Sequence, residues 1–392
     1  MTMSLASMND EMKETPIFDT WLLLTIGFLL VTGIMVIASS SMEFADRNLG
    51  GPFAILGRHL VYMLLGLITA ITIARIPVAI WQRFDWILLL TGVVLLVLVL
   101  VPGIGSEING SKRWIRFGSI GFQPSELMKW FLIIYISGYL VRRADEVRNH
   151  WSGFLKPILV LAFIIVLLLL EPDFGAMVVA LLAVLGMMFL GGVRASQFIV
   201  LMTACSGAVA FIATAQEYRM QRLLSFMDPW SSENVYGSGY QLTQALIAFG
   251  RGEWTGVGLG NSMLKLFYLP EAHTDFVFAI LGEEFGLVGV LFVLTLFASL
   301  ISRIFYIGWL AERRNQLFGA YACYGIALLI AMQAVINMGV NTALLPTKGL
   351  TLPLLSYGGS SLVVTLAMFG FVMAVYRETQ NGPVVEIEEV DL

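Results

Sequence analysis

The sequence predicts an all-α polytopic membrane protein, and two observations carry this prediction. Of the 392 residues, 58% are hydrophobic and only 13% are Asp, Glu, Lys or Arg, about half the ~25% charged residues typical of a soluble domain. The apolar residues also form long unbroken runs, whereas barrel strands alternate apolar and polar residues. An ordinary soluble enzyme, a disordered chain and an outer-membrane barrel are therefore excluded, and a bundle of about ten transmembrane helices remains.

Ten apolar stretches predict the helices, since about 17–25 residues span the hydrocarbon layer. Pro172 separates the fifth stretch from the sixth, which predicts a tight helical hairpin with Glu171 and Asp173 at its tip. The stretches are residues 21–39, 60–76, 86–101, 127–141, 158–171, 174–190, 198–215, 276–301, 318–345 and 354–376.

We expect a single integral membrane domain over residues 1–392. It comprises an N-terminal tail (1–19), a ten-helix core (20–376) and an acidic C-terminal tail (377–392). The first stretch reads as a retained span, because the tail before it is acidic rather than basic, unlike the start of a signal peptide.

The distribution of basic residues predicts the orientation in the membrane. Loops 142–157 and 302–317 are rich in Arg and Lys and lie on the side of the N-terminus, which the positive-inside rule assigns to the cytoplasm. Both termini are then cytoplasmic. The loop at 102–126, which is basic too, is an exception on the outer side.

A long loop, residues 216–275, connects helices 7 and 8 on the extracytoplasmic side. Most connections in helix bundles are about two to eight residues, so a loop of this length indicates a function. Its glycine-rich stretch 250–260 lacks the P-loop lysine pattern, which argues against nucleotide binding. The formal charge of −4 likewise gives no indication of a nucleic-acid partner.

Ionisable side chains near apolar spans are the first candidates for chemistry, because exposing one to lipid costs several kcal/mol. Glu126 and Lys129 are three residues apart, so they share a helix face and can pair. Glu283 lies inside the eighth stretch. Two interpretations stay open for these residues: they tie helices together, or they line a polar cavity open to the outer face.

Asp275 is the sharpest catalytic candidate. Thr274 suits a helix N-cap, which places Asp275 in the first turn of the eighth span at the outer rim. There the helix dipole favours the carboxylate form, as a general base requires. A simple first-turn carboxylate is the competing interpretation. Glu283 is eight residues away, about 12 Å along a helix, so a paired-carboxylate hydrolase fits poorly, although Glu271 stays open as a partner.

Four motifs in the same order resemble the SEDS family of cell-shape and division proteins, over roughly residues 20–376. A further stretch, Leu345 to Pro353, resembles the septal FtsW branch rather than the RodA elongation branch. The four motifs are Gln123-Pro-Ser-Glu126-Leu-Met-Lys129, Pro172-Asp173-Phe-Gly175, Tyr268 to Ala279 followed by Gly282-Glu-Glu284, and Ser356-Tyr-Gly-Gly-Ser360-Ser361.

The resemblance implies a peptidoglycan glycosyltransferase that polymerises lipid II at the outer face of the cytoplasmic (inner) membrane during septal wall synthesis. Asp275 matches the family's essential acid, with the implied role of deprotonating the acceptor's GlcNAc 4-hydroxyl. The chain carries Glu171 where other members can carry Gln, so Asp173 is the better candidate at that tip. The substrate-binding candidates are Glu126, Lys129, Arg113, Asp173, Arg222, Gln241, Gln244, His273, Glu283 and Lys348.

The resemblance also implies partners: a class B penicillin-binding protein that cross-links the new strand, other division proteins, and membrane lipid. A divalent cation, Mg²⁺ or Mn²⁺, is open as a helper for the pyrophosphate leaving group, but the sequence shows no dedicated ligand cluster. Two other functions stay open at this point. A lipid II flippase also needs a polar cavity, and a non-catalytic division scaffold also recruits the cross-linking enzyme.

Overall fold

A computed structural model describes residues 18–108, 111–117, 120–214, 226–237, 239–346 and 349–381. Within these ranges the helices are α1 (Thr20–Leu49), α2 (Ala54–Arg75), α3 (Val78–Arg83), α4 (Asp85–Leu100), α5 (Pro124–Arg142), α6 (Ala144–Asn149), α7 (Trp151–Leu170), α8 (Phe174–Leu190), α9 (Ala195–Thr214), α10 (Tyr240–Gly252), α11 (Val277–Arg313), α12 (Leu317–Asn341) and α13 (Gly359–Asn381). The strands are β1 (Gly105–Ile108), β2 (Ser111–Phe117) and β3 (Ile120–Phe122). Residues 1–17 and 382–392 of the predicted tails lie outside the described residues.

Each of the ten predicted stretches coincides with a long helix: α1, α2, α4, α5, α7, α8, α9, α11, α12 and α13. Six helices of the described chain are long and apolar enough to cross a membrane, namely α1, α2, α7, α11, α12 and α13. Helices α4 and α8 have 16 and 17 residues, slightly fewer than the roughly 20 that a span needs. The multi-pass helical class is confirmed, whereas the count of ten spans stays a prediction.

Helices α12 and α13 form the centre of the bundle and are mostly buried. Helix α2 packs along α13, and α11 packs along α12. Large apolar side chains on the outer helices are exposed, as at Val61, Leu64 and Leu90. Since exposed apolar side chains of this size are unfavourable in water, these surfaces suit contact with lipid.

The short sheet between α4 and α5 was not part of the all-α prediction. It has the order β1-β2-β3 with antiparallel pairs, and Ile115 of β2 pairs with Gly105 on one side and Phe122 on the other. The sheet lies at the same end of the bundle as the α7–α8 tip. We call this end, formed by described residues of 101–123, 171–173, 253–276 and 342–358, the loop end.

Helix α11 differs from its prediction in two ways. It continues to Arg313, so most of the predicted loop 302–317 is helical and the connection to α12 is short. It is also kinked at Gly286, where φ is 63° and ψ is −162°. Only glycine adopts this conformation without strain. A Cβ atom at Gly286 would lie 2.4 Å from the backbone nitrogen of Gly256.

The kink connects α11 to the long loop. The backbone nitrogens of Val257 and Gly258 donate to the carbonyl oxygens of Glu283 and Glu284, both at 3.0 Å. Just past the kink, the nitrogen of Leu287 donates to the carbonyl of Glu253 at 2.9 Å. The loop segment therefore satisfies backbone groups that the kink would otherwise leave unpaired. Helix α10, which the sequence analysis did not predict, precedes this segment and packs on α11.

Candidate active site

Asp275 lies in the turn that leads into α11, and its backbone is held from α12. The Nδ2 atoms of Asn337 and Asn341 each donate a hydrogen bond to the carbonyl oxygen of Asp275, both at 2.9 Å. On the side-chain side, a Cβ atom placed on Gly349 would lie 3.0 Å from Oδ2 of Asp275. The carboxyl group is therefore closely confined, although Asp275 keeps part of its surface exposed.

The electrostatic environment of Asp275 differs from the one predicted. Burial and, to a smaller extent, the nearby Glu271 raise the pKa of its carboxyl group, Arg113 opposes both, and the resulting pKa is about 7. From the sequence, the helix dipole was predicted to favour the carboxylate form of Asp275. That expectation was wrong about the net shift, because loss of hydration outweighs a dipole effect of about 0.3–1 kcal/mol.

Thr274 does not cap the helix as predicted. Phe276 precedes α11 and makes no side-chain capping bond. The hydroxyl of Thr274 instead donates to Oε2 of Glu271 at 2.6 Å. Glu271 is thus oriented within the same turn as Asp275, which explains why its charge acts on that carboxyl group.

Arg113 comes from β2 and reaches the tip between α7 and α8. Its Nε donates to the carbonyl oxygen of Glu171 at 3.2 Å, and a second guanidinium nitrogen donates to the carbonyl oxygen of Pro172. Its charge acts on the carboxyl groups of both Asp275 and Glu171. The unpredicted sheet therefore places a cation near two acidic groups at the loop end.

The two acids of the α7–α8 tip have different surroundings. Asp173 caps α8 by accepting from the backbone nitrogen of Ala176 at 3.1 Å, and its Oδ2 accepts from Ser125 at 2.8 Å and from Gln123 at 3.1 Å. Glu171 is 0% exposed, and no described residue donates a hydrogen bond to its carboxyl oxygens. Burial and the neighbouring Asp173 raise the pKa of Glu171 to about 8, against the opposing charge of Arg113. Glu171 is therefore neutral near pH 7.

Glu126 and Lys129 form the predicted pair on α5. Lys129 Nζ lies 2.9 Å from Glu126 Oε1, and the lysine is 2% exposed. The same nitrogen contacts Oε1 of Gln333 at 3.4 Å, and Gln333 donates to the carbonyl oxygen of Thr351 at 3.1 Å. The pair is thus enclosed within the bundle, and these contacts favour the interpretation that it ties helices together. Substrate binding by Glu126 and Lys129 stays a prediction.

Glu283 lies at the base of the long loop and accepts hydrogen bonds from side chains and backbone of that segment. It is 0% exposed, and its Oε1 accepts from Arg251 at 2.7 Å and its Oε2 from Ser262 at 2.5 Å. The backbone nitrogens of Met263 and Leu264 also donate to it. Substrate binding by Glu283 stays a prediction, and this geometry favours a role in folding the loop.

The remaining candidates lie around this centre or outside the described residues. His273 is close to the rings of Phe44 and Tyr357, with centroids 5.1 and 6.0 Å away, and burial lowers the pKa of its imidazole. Gln241 and Gln244 are half-buried on α10. Within the described ranges neither glutamine has a hydrogen bond to Asp275. Arg222 and Lys348 lie outside the described residues.

Two further features bear on ligands. In the part of the chain that the structure describes, no group of three His, Cys, Asp or Glu side chains is arranged to hold a metal ion. A cavity of about 590 Å³ lies beside the kink, between α10 and α11, and does not include Asp275. It is lined by Phe249, Glu253, Trp254, Gly282, Gly286, Leu287, Val290 and Thr342.

Sequence reasoning missed Asn337 and Asn341. A signal was present, because Gln333, Asn337 and Asn341 recur every four residues in an otherwise apolar run. This spacing puts three amide side chains on one face of α12. Their partners are backbone carbonyls distant in sequence, which the pattern alone does not identify.

Together, the fold and the site define a multi-pass helical membrane protein with a confined carboxyl group and a nearby guanidinium at one end of the bundle. A family model described as cell cycle protein, FtsW/RodA/SpoVE, matches residues 20–381. The chain belongs to this family.

Similar proteins agree with this assignment. The chain is 52% identical to a probable peptidoglycan glycosyltransferase FtsW of Hahella chejuensis, over 96% of this chain and 94% of that protein. It is 53% identical to the protein of the same description from Pseudomonas fluorescens, over 90% and 86%.

Two solved structures resemble the fold. One is a chain of a structure with the description "Structural coordination of polymerization and crosslinking by a peptidoglycan synthase complex". It matches with a TM-score of 0.77 and 30% identity, over 92% of this chain and 98% of that one. The rod shape determining protein RodA of Thermus thermophilus matches with a TM-score of 0.68 and 29% identity, over 92% and 97%.

Proposed function

We propose that this chain is a peptidoglycan glycosyltransferase that polymerises lipid II into β-1,4 glycan strands, with Asp275 as the general base. The main support for this proposal is the environment of Asp275, whose confined carboxyl group has a pKa of about 7 and is acted on by the charge of Arg113. A base is most effective when its pKa lies near the working pH. The similarity to proteins described as peptidoglycan glycosyltransferases supports the same activity.

In the proposed reaction the Asp275 carboxylate takes the proton of the acceptor's GlcNAc 4-hydroxyl. The oxygen forms a bond to C1 of the donor's MurNAc with inversion, and the bond from C1 to the lipid pyrophosphate breaks, with its electron pair leaving on the pyrophosphate. A pyrophosphate is a good leaving group, so a nearby cation assists its departure and no strong general acid is needed. Arg113, whose charge acts on the Asp275 carboxyl group, is our candidate for this cation.

The finer assignments belong to the same proposal. We infer that the protein lies in the cytoplasmic (inner) membrane with both termini in the cytoplasm, and acts at the division septum with a class B penicillin-binding protein and other division proteins. The fold match to a chain of a peptidoglycan synthase complex supports the partner class. The candidate cation, Mg²⁺ or Mn²⁺, has no ligand cluster among the described residues, and no step above depends on it.

The test is polymerisation of labelled lipid II by the purified full chain with its cross-linking partner in detergent. We expect glycan strands from the wild type, and none from Asp275→Asn although it folds and binds the partner. Glu107→Gln is the matched control, because Glu107 is an exposed carboxylate of β1. Full activity of Asp275→Asn contradicts the base role, and an inactive wild type that moves lipid II across vesicles favours the flippase.

A further inference from the structure

Helix α12 carries three buried amide side chains on one face. Gln333, Asn337 and Asn341 are 1%, 2% and 0% exposed, and their four-residue spacing aligns them along the helix. A buried amide without hydrogen-bond partners costs free energy, so such groups are nearly always paired. Their partners here are mainly backbone groups of the loop end rather than of α12.

Two of these amides converge on Asp275. Asn337 and Asn341 both donate to its carbonyl oxygen, whose two lone pairs are then used. The Oδ1 atom of Asn341 accepts from the backbone nitrogen of Ala279 at 3.1 Å. Because α12 is a central helix of the bundle, these bonds tie the backbone of Asp275 and the first turn of α11 to a rigid element.

The same face of α12 also holds the opposite wall of the site. Asn337 Nδ2 donates to the carbonyl oxygen of Leu350 at 2.5 Å, and Gln333 donates to that of Thr351. Gly349, next to Leu350, is the residue that approaches the Asp275 carboxyl group closely. One helix face therefore sets the position of the carboxyl group and of the segment that confines it.

We propose that Asn337 and Asn341 are positioning residues that fix the Asp275 carboxyl group for proton abstraction. This inference rests on the proposed function. The two amides act through the backbone of Asp275 and not through contact with substrate. A misplacement of about 1 Å at a reacting group can cost about 100-fold in rate. Their loss is therefore expected to lower kcat and to leave KM nearly unchanged.

The experiment compares Asn337→Ala and Asn341→Ala with the wild type, as full chains with the cross-linking partner and labelled lipid II. We expect kcat to fall at least about tenfold and KM to stay within about threefold. Asn337→Ser is a milder variant for the case that Asn337→Ala does not fold. The controls are Ser137→Ala on α5, a buried residue, and Leu328→Ala on α12, a half-buried residue on the opposite side of the helix from the three amides. Both should lower Tm without lowering the kcat of folded protein.

A pH titration separates positioning from general stability. A released carboxyl group gains hydration, so the acid limb of the rate profile should move to lower pH in the asparagine variants and stay in place in the controls. Glu271 and Arg113, the charged groups that act on Asp275, are unchanged in all of them. Labelling of Asp275 with a carbodiimide, followed by mass spectrometry against pH, reports the same titration without substrate.

The outcomes are distinct. If folded Asn337→Ala and Asn341→Ala keep the wild-type kcat and labelling titration, or lose activity only in proportion to the folded fraction, the positioning role is wrong. A wild type that does not polymerise lipid II contradicts the proposed function instead. In that case the labelling titration still decides whether the two asparagines hold the carboxyl group.

Discussion

At the residue scale, Asp275 connects activity with stability. Its folded pKa of about 7 lies above the usual 3.8, so the folded carboxyl group holds its proton more tightly than the unfolded one. The stabilisation from this group is complete below about pH 4 and is lost as the pH rises through about 7. A base that must be ionised for catalysis therefore works in the pH range where it destabilises the fold.

Asp275→Asn should remove this dependence, because the amide does not ionise. We expect Asp275→Asn to melt at a higher temperature than the wild type at pH 8 and at a similar temperature near pH 4. At pH 8 the free energy of unfolding of the variant should be higher by an amount on the order of 2–4 kcal/mol. Thermal melting in detergent across this range measures it. A gain that is the same at every pH contradicts the assigned titration.

Glu171 makes the opposite prediction for activity. Its carboxyl group has a pKa of about 8 and is mostly protonated at pH 7, so Glu171→Gln should keep its activity there and melt at a higher temperature than the wild type. The wild type should lose stability as the pH rises from about 4.5, the usual pKa, to about 8, and Glu171→Gln should not. Asp173→Ala is the contrast, because Asp173 accepts three hydrogen bonds. Their loss should lower Tm, and the lost cap alone should lower the free energy of unfolding by about 1 kcal/mol. Inactivity of folded Glu171→Gln at pH 7 would show that ionised Glu171 is needed.

At the element scale, the helices were predictable and the contacts between them were not. Long apolar runs suffice to predict the ten long helices at their approximate positions, because the bilayer requires them, whereas α3, α6 and α10 coincide with no predicted stretch. The β-sheet was missed because its strands are short and lie in a polar loop. The placement of Arg113 beside the α7–α8 tip depends on that sheet, and the hold of Asn337 on Asp275 depends on packing between distant segments.

The kink of α11 gives the prediction at this scale. Gly286→Ala introduces a Cβ atom at a positive φ and against the backbone of Gly256. Strain of about 1–3 kcal/mol is expected from the backbone alone. Gly250→Ala on α10 is the matched control, since a Cβ atom there meets nothing within 4 Å. We expect Gly286→Ala to lower Tm and to speed proteolysis of the long loop, whereas Gly250→Ala should not. Equal behaviour of the two variants would contradict this account of the kink.

At the scale of the whole molecule, the site explains an irregularity in the charge distribution. The loop at 102–126 carries basic residues on the side predicted to be external, against the positive-inside tendency. Arg113 is one of them, and its guanidinium is bound to two carbonyl oxygens next to acidic groups. A cation retained for the site is therefore compatible with the predicted orientation, in which the loop end faces outward.

This orientation gives the last prediction. Ser232 lies exposed in the long loop and Ser152 lies exposed at the opposite end of the bundle, at the start of α7. In a chain without Cys205 and Cys323, a membrane-impermeant maleimide applied to intact spheroplasts should label Ser232→Cys and not Ser152→Cys. Lysed membranes should label both, which controls for accessibility. The reverse pattern would place Asp275 on the cytoplasmic side, where an externally polymerised glycan strand has no access to it.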